Sequence, residues 1–248
     1  MALLPRNSAQ KNHDGDSFFV SMTDMLVGML FLFIIMLMFF AMKFNEATIK
    51  KNEVVENVVN AEEARGRILE EIRKAMAEHG VTVVIDPDYG ILRLPEEILF
   101  ERGKSILSQR GQNAVIALSN ALIHVLPCYT VSADAEKCGK IRHQVESVFI
   151  EGHTDIDGDD LLNWNLSFQR SLSTYQYLQR SNPQLAALKN KDGQVLMSLS
   201  GYGKQRPLNG NASEEEKSRN RRIDIRFIMS TPKSHEIRDE SVSGGISK

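Results

Sequence analysis

Apolar positions are distributed very unevenly along this chain. From Phe18 to Met42 almost every residue is apolar; afterwards the pattern breaks into short alternating and helical runs. At about 1.5 Å rise per residue, the first run is long enough to cross a hydrocarbon layer of about 30 Å. The pattern therefore predicts a membrane helix over residues 17–44, preceded by a short flexible tail, 1–16. A single ionisable side chain, Asp24, lies inside the run. Such a carboxylate is costly in hydrocarbon and by default marks an ion or proton site. A signal peptide would have a shorter apolar core, about 7–15 residues, followed by a small-residue cleavage site. Here the run ends in Ala41-Met42-Lys43-Phe44-Asn45, so it reads as an uncleaved anchor.

Residues 45–79 contain no proline and only Gly66 among glycines, and are rich in Glu, Lys, Arg and Ala. They read as a helical connector. Ile49, Val55, Val58, Val59, Leu69, Ile72 and Met76 form an incomplete apolar stripe, broken around Glu62 and Arg65. A short parallel coiled coil, a helix packed on a partner and a solvated connector all fit that pattern. Gly80 caps its C-terminal end. From residue 81 the period changes. Strands are predicted at 81–85 and 91–94 around the turn Pro87-Asp88-Tyr89-Gly90. A helix over 108–126 buries Val115, Ile116, Leu118, Ala121, Leu122 and Val125. A cysteine-bearing loop follows to about residue 142. Then come a strand at 145–151, a helix at 162–179, a strand at 195–200, a short helix at 214–220 and a last strand at 222–229. Glu214, Glu215 and Glu216 suit the positive N-terminal end of that short helix. Residues 231–248 are polar and read as a disordered tail. Strands interleaved with helices imply an α+β or α/β sandwich of one sheet and one helical layer.

Composition narrows the function. With 248 residues and one span, about 200 remain for a single soluble domain and its connector. The formal charge of −2 and the lack of a basic block argue against direct nucleic-acid binding. Cys128 and Cys138 are the two cysteines of the chain and no histidine cluster lies beside them, which argues against zinc. They would be a disulfide in an exported domain and free thiols in a cytosolic one. His79, His124 and His143 show no metal spacing. Nothing in the sequence forms a P-loop or a catalytic motif, so the chain does not read as an enzyme and implies no cofactor beyond a transported ion. Arg6 and Lys11 on one flank of the span, against Lys43, Lys50 and Lys51 on the other, give no clear orientation and lean towards placing the C-terminal side in the cytoplasm.

Several ordered motifs carry a resemblance. The segments Phe149-Ile150-Glu151-Gly152-His153-Thr154-Asp155 and Asn163-Trp164-Asn165-Leu166-Ser167-Phe168-Gln169-Arg170 resemble the core of the OmpA-like peptidoglycan-binding domain. Gly201-Tyr202-Gly203-Lys204-Gln205-Arg206-Pro207 and Asn220-Arg221-Arg222-Ile223 are similar to its two later signatures, and Leu99-Phe100-Glu101-Arg102-Gly103 to its beginning. The resemblance covers roughly residues 80–230 and implies a βαβαβ-type two-layer sandwich there. It implies that Asp155 and Arg170 hold the diaminopimelate of the stem peptide, the carboxylate taking an ammonium and the guanidinium a carboxylate. Thr154 belongs to the same set, Asn163 and Leu166 would order the loop, and Arg221 or Arg222 would reach the site. His153 is expected to be structural. Peptidoglycan lies outside the inner membrane, so the resemblance implies a single-pass protein with a cytoplasmic N-terminus and a periplasmic C-terminal domain. The cysteine pair is then expected as a disulfide across the insertion.

An early membrane aspartate, a connector and an OmpA-like domain together resemble MotB-type stator subunits. That resemblance implies that Asp24 carries protons or sodium ions, with Ser21 and Thr23 as neighbouring hydroxyls on the ion path. It also implies a homodimer inside a pentamer of a MotA-like subunit. The flagellar pattern of an aromatic, alanine and aspartate is absent: the chain has Ser21-Met22-Thr23-Asp24-Met25. With its cysteine-bearing insertion, the chain is more similar to the MotB-like subunit of Zorya anti-phage defence systems. There, motor rotation would be coupled indirectly to cytoplasmic effectors. A flagellar stator, a passive wall anchor and an energiser of the TolR or ExbD type are the alternatives.

Overall fold

The computed structural model describes residues 13–131, 138, 143–210 and 213–230, with side chains from residue 22 onward. The tail expected at 231–248, most of the tail expected at 1–16 and most of the cysteine loop lie outside the described residues. The chain divides into two compact units, 1–55 and 56–248. Helix α1, His13–Glu78, contributes to both.

In the first unit, α1 carries the apolar run. Its side chains, among them Met25, Leu30, Phe31 and Phe44, are exposed. Among the described residues this is the one helix long and apolar enough to cross a membrane. Just beyond the run, Glu46 accepts from both Lys43 and Lys50 at 3.0 Å.

The second unit starts well before residue 80, where the sequence reading placed the domain. Ala61, Ala64, Ile68, Leu69, Ile72 and Met76 of α1 are buried in one core with Leu92, Leu94, Leu118, Leu122, Ile223, Ile225 and Phe227. Their spacing of three and four residues is one face of a helix. The expected stripe missed Ala61, Ala64 and Ile68, because alanines and the intervening charges mask the period. Arg65, read as a break, donates instead to the carbonyls of Pro87 and Asp88 at 3.1 and 3.0 Å. Ile49, Val55, Val58 and Val59 are exposed. The helix ends as expected on Gly80, whose φ is +70°. There the Val81 N–H donates to the Met76 carbonyl at 3.0 Å.

The sheet comprises β1 (Val84–Asp86), β2 (Ile91–Pro95), β3 (Val145–His153), β4 (Met197–Gly201) and β5 (Arg222–Met229), in the order β1-β2-β5-β3-β4. β3 and β4 pair parallel, and the other neighbours pair antiparallel. The helices are α2 (Glu96–Leu99), α3 (Gln109–Val125), α4 (Asp160–Ser181) and α5 (Glu214–Asn220). α2 is too short to leave a periodic signal and was not anticipated. α3 packs its Ala114, Val115, Leu118, Ala121, Leu122 and Val125 face inward, but Ile116, expected there, is 39 % exposed. Cys128, in the 3-10 turn Leu126–Tyr129 that follows α3, is disulfide-bonded to Cys138, with Cα atoms 5.3 Å apart.

Two glycines decide where α4 sits. Gly152 and Gly201 are register partners across the parallel β3–β4 pair. A Cβ on Gly152 would stand 2.0 Å from the Ser167 carbonyl oxygen, and one on Gly201 would stand 2.6 Å from the Phe168 nitrogen. The α4 backbone therefore rests directly on the sheet. Serine hydroxyls stitch the contact: Ser171 donates to the Ser200 carbonyl at 2.7 Å, and Ser167 accepts from the Gly203 N–H at 2.9 Å.

Because the obstructing atoms are backbone, Gly152→Ala cannot be absorbed by a side-chain rotation. We expect it to lower stability by at least about 1–3 kcal/mol. Urea unfolding of the full chain, followed by circular dichroism, checks this. An unchanged midpoint would show that α4 can lift without cost.

Candidate functional site

Where β3 ends, the chain enters the loop that carries Asp155. The Thr154 N–H donates to the Gly203 carbonyl at 3.0 Å, tying the loop's start to the turn after β4. Asp155 Oδ1 accepts from the Asp157 N–H at 3.0 Å, closing an Asx turn. Asp159 caps α4 by accepting from the Leu162 N–H at 2.8 Å. The Asn163 side chain donates to the Asp157 carbonyl at 2.9 Å. Asn163 thus orders the loop. α4 begins at Asp160, earlier than the sequence pattern indicated, so Leu166 lies further into the helix, half-buried.

Arg170 follows Asn163 by two helical turns on the buried face of α4 and is 2 % exposed. Its guanidinium is paired with Glu96 of α2, donates through Nε to the Lys104 carbonyl at 2.9 Å, and lies 5.3 Å above the Phe100 ring. Arg221, the C-cap of α5, donates from Nη1 to Asp155 Oδ2 at 2.6 Å. Its Nε stands 3.3 Å from Glu96 Oε2. Two acids and two bases from four separate segments therefore alternate: Asp155, Arg221, Glu96, Arg170. Burial pushes the Glu96 carboxyl above its ordinary range, against the pull of Arg170 and Arg221. Burial also lowers the Arg170 pKa, against the opposing influence of Glu96. For Arg221, burial is outweighed by the Asp155 hydrogen bond together with the charges of Asp155 and Glu96, and the net direction is up.

The expected residues thus divide. Asp155, Arg170 and Arg221 come together, with Asn163 behind them. Thr154 is buried beside Asp155, and its Oγ1 makes no hydrogen bond. Arg222 does not join them. It points to the other face of the sheet, where it donates to Asp224 at 3.0 Å and to the carbonyls of Asn220 and Arg206 at 3.2 Å. The alternation of β5 requires this, since adjacent strand residues face opposite ways. Glu96 was not foreseen. Glu96 and Glu97 are equivalent by sequence; only the fold turns Glu96 inward and leaves Glu97 bonded to Ser218. In the other unit, Asp24 and Thr23 are neighbours on the apolar part of α1, and the side chain of Ser21 lies outside the described residues.

The other face of the sheet holds a second buried cluster. Across β2, β5 and β3, Arg93, Asp224 and Glu151 are register neighbours. Glu151 accepts from Arg226 at 2.9 and 2.7 Å. His153 stacks on Tyr202 at 5.3 Å, and the Arg206 guanidinium lies 3.8 Å from the centroid of that ring. Among the described residues, Glu151, His153 and Asp224 are close enough to share a cation. Arg93, Arg222 and Arg226 already neutralise those carboxylates, and their charge opposes a metal. The cluster is consistent with the structural role expected of His153.

Comparison with known proteins gives three findings. Residues 99–221 match the OmpA family. The chain is 22 % identical over 171 residues to Motility protein B of Bacillus subtilis (strain 168), covering 67 % of this chain and 56 % of that protein. It is 24 % identical over 214 residues to Zorya protein ZorB of Escherichia coli O139:H28 (strain E24377A / ETEC), covering 85 % of this chain and 79 % of that protein. The chain therefore spans little more than half the length of the Bacillus relative. Solved structures similar to it include a MotB-like protein from Desulfovibrio vulgaris, with TM-score 0.47, 22 % identity and 69 % and 97 % of the two chains covered. Another is the periplasmic domain of Helicobacter pylori MotB, with TM-score 0.41, 20 % identity and coverage of 62 % and 83 %.

His153 supplies a pH test. Burial first, then the charges of Arg222 and Arg206, lower its pKa from 6.5 to about 2. The unfolded chain takes up this proton below its own pKa and the folded chain does not. The stabilisation is therefore whole above pH 6.5 and is lost as pH falls towards the folded value. Between pH 7 and pH 5 we expect a loss of about 2 kcal/mol from this residue. His153→Phe, which keeps the stack on Tyr202, should flatten that slope. An equal slope in both proteins, measured by urea unfolding, would place the titration elsewhere.

Proposed function

With an OmpA-like domain at residues 99–221 as premise, we propose that this chain is the wall-anchored stator subunit of an ion-driven motor in the bacterial inner membrane. Among such subunits, it is read as the MotB-like component of a Zorya-type anti-phage system. The carrying observation is that one chain joins this domain to an apolar helix with a lone carboxylate, Asp24. The likeness to a ZorB protein covers 85 % of this chain, against 67 % for Motility protein B, which supports the defence assignment over a flagellar one. The disulfide between Cys128 and Cys138 supports a periplasmic location for the C-terminal domain.

In this reading the N-terminus is cytoplasmic. Two copies of α1 sit within a pentamer of a MotA-like subunit. Asp24 takes up a proton or sodium ion from one side and releases it to the other, with Ser21 and Thr23 beside the path. A single helix cannot seal such a path, so the partner subunit supplies the other wall. Ion flow turns the pentamer around a dimer held still by the peptidoglycan. Asp155, Arg170 and Arg221 hold the stem peptide, with Thr154 beside them and Asn163 and Leu166 in the supporting helix. Rotation is passed to cytoplasmic effectors, and the chain itself performs no catalysis.

Two substitutions separate this from a passive anchor. Asp24→Asn keeps the side-chain shape but removes titration. It should abolish ion flux and phage protection while leaving attachment to sacculi intact. Asp155→Ala with Arg170→Ala should abolish attachment. A passive anchor predicts that Asp24→Asn is silent, and retained flux with retained protection would overturn the motor reading. The genes beside this one add a second check: flagellar neighbours would favour the flagellar stator.

A further inference from the structure

We infer that Glu96 is a built-in stand-in for a ligand carboxylate: it occupies Arg170 in the ligand-free protein and is displaced when a ligand carboxylate docks. This rests on the reading of Asp155 and Arg170 as the stem-peptide site.

Both residues expected to receive the ligand are already engaged. Arg170 is 2 % exposed. Glu96 takes its guanidinium, the Lys104 carbonyl takes its Nε, and Phe100 covers its face. Asp155 is similarly engaged: Arg221 binds one carboxylate oxygen and the Asp157 N–H the other. A zwitterionic ligand offers one carboxylate and one ammonium. In this structure Glu96 fills the first role, while Arg221 balances Asp155 and stands 3.3 Å from Glu96. The cluster is charge-balanced without ligand, so a ligand must exchange with an internal partner and does not meet a bare charge.

Glu96 is built to let go. Its Oε2 is buried and makes no hydrogen bond, only an ion pair with Arg221 at 3.3 Å. Burial also works against its charged form. Its backbone N–H donates to the Arg221 carbonyl at 3.0 Å, so the main chain can stay fixed while the side chain rotates. α2 spans only four residues, and the adjacent Glu97 is bonded to Ser218 at the exposed surface.

An internal competitor reduces apparent affinity by the fraction of time the site is closed. It acts only against ligands that need Arg170. The probes are therefore two synthetic stem tetrapeptides, one with meso-diaminopimelate and one with L-lysine, which lacks the carboxylate in question. Each is titrated calorimetrically into the full chain in detergent. Glu96→Gln should bind the diaminopimelate peptide roughly tenfold more tightly, as for a site closed about nine-tenths of the time. Its weak binding of the lysine peptide should not change. Glu96→Asp, which keeps the charge but is shorter by one methylene, should show a smaller gain of the same sign, and it carries the test if Glu96→Gln fails to fold. Equal or weaker diaminopimelate binding in these variants, or an equal gain for both peptides, would overturn the inference. Wild-type protein that binds neither peptide nor sacculi would instead remove the wall-binding reading, and this inference with it.

Discussion

A guanidinium removed from water must be neutralised within a few ångströms, and Arg170 imposes that demand on the residues around it. It sits there because α4 lies directly on the sheet, with the backbones of Ser167 and Phe168 pressed against Gly152 and Gly201. The charge therefore falls under α2, and Glu96 answers it. Glu96 in turn lies beside Arg221, which holds Asp155. The pairing of β2, β5 and β3 brings the ends of these elements to one end of the sheet. A single buried charge thus connects four segments that lie far apart in sequence.

The sheet separates two kinds of polar burial. At one end of the sheet the charges alternate, each beside a partner of opposite sign. On the face behind, Arg93, Asp224, Glu151 and Arg226 are locked in strand register, with His153 held flat against Tyr202. Their main chains are fixed by strand pairing. Adjacent residues of one strand, Arg222 and Ile223, mark the division between polar face and core, and Arg221 is the last residue free of the strand.

Much of this was legible in the sequence, for specific reasons. Strand β5 reads directly because Ile223, Ile225 and Phe227 alternate with charges, and α5 reads because its charged first turn follows a loop. Asp155, Arg170 and Asn163 were identified because ordered motifs mark them. Other features left no local trace. The burial of α1 from Ala61 onward depends on small residues whose apolar character is weak, beneath a sheet that the helix cannot see. The choice of Arg221 over Arg222 requires the point at which β5 begins. Glu96 differs from Glu97 only by which side of a four-residue helix meets α4.

The place of Arg65 and the row Ile68, Leu69, Ile72 and Met76 has a mechanical consequence. In the proposed wall-anchored role, the domain would receive load through its first residues. Here that load enters along a helix whose side chains are interleaved with the core, and Arg65 grips the turn between β1 and β2. Tension is shared among many contacts before any strand can be peeled from the sheet. The second unit is thus braced at the place where it would be pulled.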